Sequence, residues 1–100
     1  MIPQRGIFLL MVTARKIKIS GKVQGVNFRY YTMLESRKLG LAGTVKNLDD
    51  GSVLVNVEGE NAAIESLVTW CRKGPLLARV DLVEMEEIPL AGYKSFDIVR

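Results

Sequence analysis

Alternation of polar and apolar residues along the chain predicts a sheet of short β-strands. Two isoleucines alternate with lysines in residues 16–19, and three valines alternate with other residues in the stretch 53–58. A period of two is typical of a strand with one buried face. Asp50-Gly51 lies between residues 43–47 and the valine stretch, and this dipeptide between two such runs predicts a hairpin.

Two further strands are predicted in the second half of the chain. Residues 79–85 alternate with a slip of one position at Val83 and Met85, as a β-bulge would produce. The short apolar run at residues 96–99 predicts the last strand.

Two segments have the spacing of amphipathic helices. Residues 27–39 hold no glycine or proline and end before Gly40, a typical residue after a helix. One face of this helix would present Phe28, Thr32, Ser36 and Leu39. A second helix, starting at Gly59 or Asn61 and stopped by Gly74-Pro75, would carry an apolar stripe of Ala63, Ile64, Leu67, Val68 and Cys71.

The order of these elements predicts the fold class. Strand, helix, hairpin, helix and strand, with a short fifth strand, is the order of the ferredoxin-like split β-α-β sandwich. We therefore expect an α+β fold with an antiparallel sheet of four main strands plus a short fifth, and with two helices on one face.

Composition limits the possible functions of this 100-residue chain. The net charge of +3 suits an anionic ligand but is small for a dedicated nucleic-acid binder. Because the chain has no histidine and one cysteine, the common His/Cys zinc sites, a Ser-His-Asp triad and an internal disulfide are excluded. Cys71 is expected to pack in the core, and no metal site is predicted.

The N-terminal residues precede the patterned region. We expect residues 1–14 to be an extension of a domain formed by residues 15–100, or in part a consequence of start-site choice, because Met11 lies in frame. The apolar run at residues 7–12 is too short to span a membrane and lacks a cleavage site. We therefore expect a cytoplasmic monomer that does not contact a membrane.

The stretch GKVQGVNFR, residues 21–29, has the clearest chemical pattern. Two glycines bracket a turn between a predicted strand and a predicted helix, where backbone N–H groups can converge on an anion. The helix N-terminus contributes the positive end of its dipole, and Arg29 contributes a planar cation that can bind two phosphate oxygens. Phosphate is the predicted ligand.

Asn47, near the end of the second predicted strand, has two interpretations. It can cap the turn that precedes Asp50-Gly51, which is a common role of asparagine. Alternatively, the split β-α-β topology can bring its amide towards a phosphate bound at the first loop. The residue pattern alone leaves both interpretations open.

Residues 21–29 and a second block, GTVKNLDDGSV at residues 43–53, together resemble the paired signature of the acylphosphatase family. The similarity continues over residues 15–100. The resemblance implies hydrolysis of the carboxyl-phosphate anhydride of acyl phosphates, without metal, cofactor or covalent intermediate. It implies that Arg29 binds the phosphate and that Asn47 orients the attacking water. Backbone N–H groups of the phosphate loop would come from Gln24, Gly25, Val26, Asn27 and Phe28.

Two positions depart from the family pattern. Asn27 replaces a glycine or an aromatic residue, and Thr44 stands where many members have an aromatic residue. The first departure is expected to alter loop stiffness or substrate range. Neither departure removes a proposed catalytic group.

Two other functions are compatible with the predicted fold. A non-catalytic phosphate- or RNA-binding module has the same topology, but the predicted central strand VLVNV, residues 53–57, has no aromatic ring to stack on a base. An accessory domain in carbamoyl-phosphate chemistry would keep the site within a larger assembly. The expected partner is thus a small-molecule acyl phosphate, and no nucleic acid is expected.

Overall fold

The computed structural model describes residues 12–100 and contains five strands and two helices in that range. In chain order they are β1 (Val12–Lys22), α1 (Phe28–Lys38), β2 (Ala42–Asn47), β3 (Val53–Glu60), α2 (Asn61–Lys73), β4 (Arg79–Glu87) and β5 (Phe96–Ile98). This order of strands and helices is the predicted one. The helix bounds differ little from the prediction, since α1 has Asn27 as its N-cap and Leu39 as its C-cap.

The strands form one sheet in the order β4-β1-β3-β2-β5. The pairs β4-β1, β1-β3 and β3-β2 are antiparallel, as the α+β ferredoxin-like prediction requires. The short fifth strand pairs in parallel with β2, with Val45 opposite Ile98, so the sheet is mixed at this edge. A parallel partner could not be predicted from alternation, because side chains alternate equally in both orientations.

The core lies between one face of the sheet and both helices. Side chains with a period of two along β1 and β3 are fully buried, namely those of Ile17, Ile19, Val53, Val55 and Val57. They form one cluster with the predicted stripes of the helices, including Phe28, Ile64, Leu67, Val68 and Cys71. Both helices therefore pack on the same face, as predicted.

The predicted bulge is present, but it lies earlier in the strand. The register between β1 and β4 shifts between Ser20, which faces Leu82, and Gly21, which faces Val80. The extra residue is therefore Asp81, and not one of residues 83–85. The partly buried Val80 and Val83 both pack against the core, and this spacing of three produces the slip in the alternation.

The first strand is longer than the sequence pattern indicates. Val12 and Ala14 pair with Glu60 and Glu58 of β3, so β1 begins three residues before the predicted domain boundary at residue 15. The rest of the predicted N-terminal extension lies outside the described residues.

Two hydroxyl groups of α1 point into the core. Thr32 and Ser36 are completely buried, and neither Thr32 Oγ1 nor Ser36 Oγ has a hydrogen-bond partner among the described residues. A buried polar group without a partner loses its bonds to water and gains none, which costs about 1–3 kcal/mol.

We expect Thr32→Val to raise the free energy of unfolding by about 1 kcal/mol, because it removes the unpaired hydroxyl and nearly preserves the volume. Urea denaturation of the two proteins measures the difference. Thr69→Val is the matched control, since Thr69 is exposed on α2 and its hydroxyl donates to the carbonyl of Glu65 at 3.0 Å. The control is expected to show no gain, and a destabilised Thr32→Val protein would contradict the prediction.

Candidate active site

A cavity of about 360 Å³ opens at the end of the sheet where β1 leads into α1 and where β2 ends. Five of the seven predicted site residues line it: Gly25, Asn27, Phe28, Arg29 and Asn47. The fold thus brings the first loop and the end of the second strand together, although they are far apart in sequence. The other two predicted residues, Gln24 and Val26, do not line this cavity.

The loop between β1 and α1 has a backbone shape suited to an anion. Gly25 has a φ of 74° and Asn27 has a φ of 63°, so both are in the left-handed region, with Val26 between them. A Cβ at Gly25 would meet no atom within 4 Å, so the backbone conformation and not the available space favours glycine there. Where left-handed residues alternate with residues of ordinary backbone conformation, successive backbone N–H groups point into one concavity that can bind an anion.

The departure at Asn27 has a conformational explanation. Asparagine adopts the left-handed region more readily than most other residues with a side chain. Asn27 therefore maintains the loop shape that glycine would permit. Its side chain makes no capping hydrogen bond to α1, although Asn27 is the N-cap residue.

Buried valines hold the loop against the core. Val23 and Val26 belong to the core cluster, with exposed fractions of 1% and 8%. The prediction for Val26 concerns its backbone N–H in the phosphate loop. Its side chain packs into the core and fixes the loop against it. Phe28 is also buried and packs edge-on against Trp70, with ring centroids 5.6 Å apart.

Arg29 lies in the first turn of α1, as predicted, and is half-buried. The first backbone hydrogen bond of the helix runs from the N–H of Tyr31 to the carbonyl of Asn27 at 3.1 Å. The preceding N–H groups have no helical acceptor, and the first turn holds no acidic residue. Arg29 forms no salt bridge with any described residue, so its positive charge adds to that of the helix N-terminus at this end of the cavity.

Asn47 is the last residue of β2 and is half-buried at the cavity. Its Oδ1 atom is buried and accepts no hydrogen bond within the part of the chain that the structure describes. The hairpin turn is instead held by Asp50, whose Oδ1 accepts a hydrogen bond from the N–H of Ser52 at 3.0 Å. The turn-capping interpretation of Asn47 is therefore not supported, and Oδ1 is left without a hydrogen-bond partner among the described residues.

The hairpin turn has its own electrostatic support. Hydrogen bonds from Ser52 and from Lys18, whose Nζ lies 2.9 Å from Asp50 Oδ2, hold the pKa of Asp50 well below its usual range. The same contact raises the pKa of Lys18. Both groups are charged at neutral pH, and their exposed contact links the hairpin turn to β1.

Four residues that line the cavity were not predicted: Val23, Tyr30, Ile98 and Arg100. The last two reach the site because β5 runs parallel to β2, with Ile98 opposite Val45, and the chain continues from there to Arg100 at the cavity. Only the parallel pairing reveals this proximity. Tyr30 directly follows Arg29 and could have been suspected from its position at the start of the helix.

A buried glutamate holds the chain segment that precedes β5. Glu58 is 7% exposed, and its carboxylate accepts hydrogen bonds from the N–H groups of Ala91, Gly92 and Tyr93, the last at 3.2 Å. These bonds compensate for the burial of the charge. Glu58 thereby helps to place β5, and with it Ile98 and Arg100, at the edge of the cavity.

The single cysteine of the chain does not line the cavity. Burial raises the pKa of Cys71 to about 12, which agrees with its predicted packing role in the core. Within residues 12–100, no group of three or more cysteine, aspartate or glutamate side chains is arranged to hold a metal ion. In the same range, none of the helices has the length and apolar character needed to cross a membrane.

A family model, a curated relative and a solved structure that match this chain share one description. The family model named Acylphosphatase matches residues 15–98. An acylphosphatase of Anaeromyxobacter dehalogenans is 53% identical over 77 residues, which cover 77% of this chain and 83% of that protein. The solved structure of an acylphosphatase from Coxiella burnetii matches with a TM-score of 0.88 at 37% identity and covers 91% of this chain and 96% of that chain.

A larger protein contains a similar domain. The crystal structure of HypF from T. kodakarensis matches with a TM-score of 0.75 at 39% identity. The match covers 86% of this chain and 11% of that chain, so the similarity is to a small part of HypF. The family match runs from the fourth residue of β1 to the end of β5 and includes the loop, the helix and the hairpin that form the cavity. The chain belongs to the acylphosphatase family.

Proposed function

We propose that this protein hydrolyses small acyl phosphates to a carboxylate and inorganic phosphate. The observation that carries the proposal is the shared cavity, in which a left-handed loop meets Arg29 and Asn47. Among the described residues, Arg29 forms no salt bridge and Asn47 Oδ1 accepts no hydrogen bond. Phosphoryl transfer requires positioning and charge stabilisation more than covalent chemistry from the protein, and this set of groups suits both tasks.

In this proposal Arg29 and the loop bind the phosphoryl group. The guanidinium donates two hydrogen bonds to phosphate oxygens, and the backbone N–H groups of residues 24–28 surround the remaining oxygens. These donors are already oriented before the substrate arrives, because the loop is anchored by Val23 and Val26. Preorganised donors stabilise the charge of the transition state without a reorganisation cost.

Asn47 orients the attacking water in this mechanism. The neutral amide cannot accept the proton, but its oxygen, which has no partner among the described residues, can receive a hydrogen bond from the water once the side chain turns Oδ1 towards the cavity. The water oxygen forms a bond to phosphorus while the bond from phosphorus to the carboxyl oxygen breaks. The proton from the water passes to a phosphate oxygen, and the bonding electrons leave with the carboxylate.

The leaving group explains why no histidine is required. A carboxylic acid has a pKa near ~4, so the carboxylate departs without protonation by a general acid. The proposed reaction also uses no metal. We further propose that the protein acts in the cytoplasm as a monomer, and sedimentation of the purified chain tests the oligomeric state.

We expect Asn47→Ala to lower kcat by about 100-fold and to change KM by less than ~3-fold, because orientation of the water is lost while phosphate binding remains. Hydrolysis of benzoyl phosphate in the presence of a metal chelator is the measurement. The wild type should turn over rapidly under these conditions.

Asn56→Ala is the matched control for this experiment. Asn56 lies on β3 opposite Thr44 and does not line the cavity. The kcat of the Asn56→Ala protein should therefore equal that of the wild type. Unchanged turnover in a folded Asn47→Ala protein would remove Asn47 from the mechanism. A folded wild type without any turnover would overturn the proposed activity itself.

The same experiment distinguishes acyl phosphate hydrolysis from a second candidate function. Similarity to part of HypF favours an accessory domain in carbamoyl-phosphate chemistry, which would bind a phosphate but depend on a larger protein for turnover. Phosphate binding by the isolated chain without hydrolysis of benzoyl or carbamoyl phosphate would favour that function. An RNA-binding function is less suited to this sheet, whose open face presents Lys16, Lys18, Leu54 and Asn56 on β1 and β3 and no aromatic ring there.

A further inference from the structure

The side chain of Gln24 connects the two halves of the candidate active site. Its Nε2 atom donates one hydrogen bond to the carbonyl of Leu48 at 2.8 Å and another to the carbonyl of Ser52 at 2.9 Å. Leu48 directly follows Asn47, and its own N–H donates to the same Ser52 carbonyl at 2.9 Å. Both acceptors therefore lie at the base of the hairpin turn, next to Asn47.

No other side-chain hydrogen bond between described residues joins the loop of residues 23–27 to the hairpin of residues 47–52. Gln24 uses both hydrogens of one amide nitrogen, so a single side chain holds both ends of the turn. Its side chain is half-buried and does not line the cavity. This placement leaves its backbone N–H available to the loop while the side chain makes a separate contact.

We infer that Gln24 is a positioning residue that sets the placement of Asn47 relative to the phosphate loop. The inference rests on the proposed function, since it assigns Gln24 an effect through the water-orienting role of Asn47. Arg29 and the loop amides belong to one continuous segment and keep their mutual geometry without the bridge. Asn47 belongs to another segment, and loss of the bridge leaves its distance from the bound phosphate less restricted.

Loss of the Gln24 hydrogen bonds is expected to change kcat and KM to different extents. Small misplacements of groups that orient reactants lower the rate strongly, whereas binding by intact donors is little affected. Gln24→Met has similar length and no amide hydrogens. We expect this variant to lower kcat on benzoyl phosphate by about 10-fold while KM stays within ~2-fold of the wild type.

A double-mutant cycle with Asn47→Ala tests the inference in the full-length protein. If Gln24 acts through Asn47, Gln24→Met changes kcat by less than ~2-fold once Asn47 is already alanine. A full 10-fold loss in that background, or a loss that appears in KM, would overturn the inference. Ser66→Ala removes a side-chain hydrogen bond to the Ala62 carbonyl at an exposed position of α2 and should leave kcat unchanged.

The cycle distinguishes this inference from the proposed function. The activity of the wild type and the effect of Asn47→Ala alone test the function, and the interaction between the two substitutions tests Gln24. If Gln24→Met does not fold, Gln24→Asn replaces it in the same cycle. Its shorter side chain keeps the amide but cannot reach both carbonyls, so the same loss of kcat and the same non-additivity are expected.

Discussion

Replacement of Arg29 by alanine is expected to lower kcat/KM for an acyl phosphate by about 1000-fold or more. Arg29 faces the cavity from the first turn of α1 and forms no salt bridge with a described residue. Its charge is therefore available to the phosphate in the ground state and to the greater charge of the transition state. Both kcat and KM should deteriorate, in contrast to Asn47→Ala, for which the loss is confined to kcat.

Two further variants determine what Arg29 contributes. Arg29→Lys keeps the charge and loses the planar pair of donors, so it should recover only a small part of the activity. Arg72→Ala, at an exposed position near the end of α2, should leave kcat/KM unchanged. Steady-state kinetics with benzoyl phosphate measures all three proteins. An Arg29→Ala enzyme that keeps more than about a tenth of the wild-type kcat/KM would contradict the assigned role.

The largest effect on stability is expected from Gly43→Ala. Gly43 lies within β2 between two paired strands, and its φ is 147°. A Cβ there would lie 1.8 Å from the backbone oxygen of Asn56 on β3. Backbone atoms of a paired strand cannot rotate away as a side chain can, so the strands must separate. We expect a loss of more than about 4 kcal/mol, which is a large fraction of the roughly 5–15 kcal/mol that stabilises an ordinary domain.

Thermal denaturation measures this loss, and Gly40→Ala is its control. Gly40 also has a positive φ, of 74°, but a Cβ there would meet no atom within 4 Å. The control should lose only about 1 kcal/mol from the unfavourable backbone conformation. For a domain of this size, Gly43→Ala should lower Tm by roughly 20 °C or more, or prevent folding. A melting temperature within about 5 °C of the wild type would exclude the predicted collision.

At the hairpin next to Asn47, the sequence predicts the turn but does not decide which side chain caps it. Asp50-Gly51 indicates a turn from sequence alone, because few residue pairs adopt its backbone conformation so readily. A cap at Asn47 would accept a hydrogen bond from a backbone N–H two residues further on, whereas a cap at Asp50 would accept one from the N–H of Ser52. The structure assigns this bond to Asp50, and only then is the amide of Asn47 free for another role.

Local periodicity determined most of the fold without tertiary information. Burial of Ile17 and Ile19 follows from a period of two, and burial of the α2 stripe from a period near 3.6, because the backbone geometry of each element repeats regularly. The motif at residues 21–29 likewise indicates a phosphate loop and an arginine at a helix start, since these neighbours in sequence remain neighbours in space.

Only the tertiary structure decided which distant segments meet. Three contacts join residues that are far apart along the chain. They are the parallel pairing of β5 with β2, the shared cavity lined by Arg100 and Asn47, and the hydrogen bonds from Gln24 to the hairpin. Gly43 requires glycine for the same reason, because the atom that excludes a side chain belongs to β3. Such contacts depend on strand register and on the packing of separate elements, and a local pattern of polar and apolar residues does not specify them.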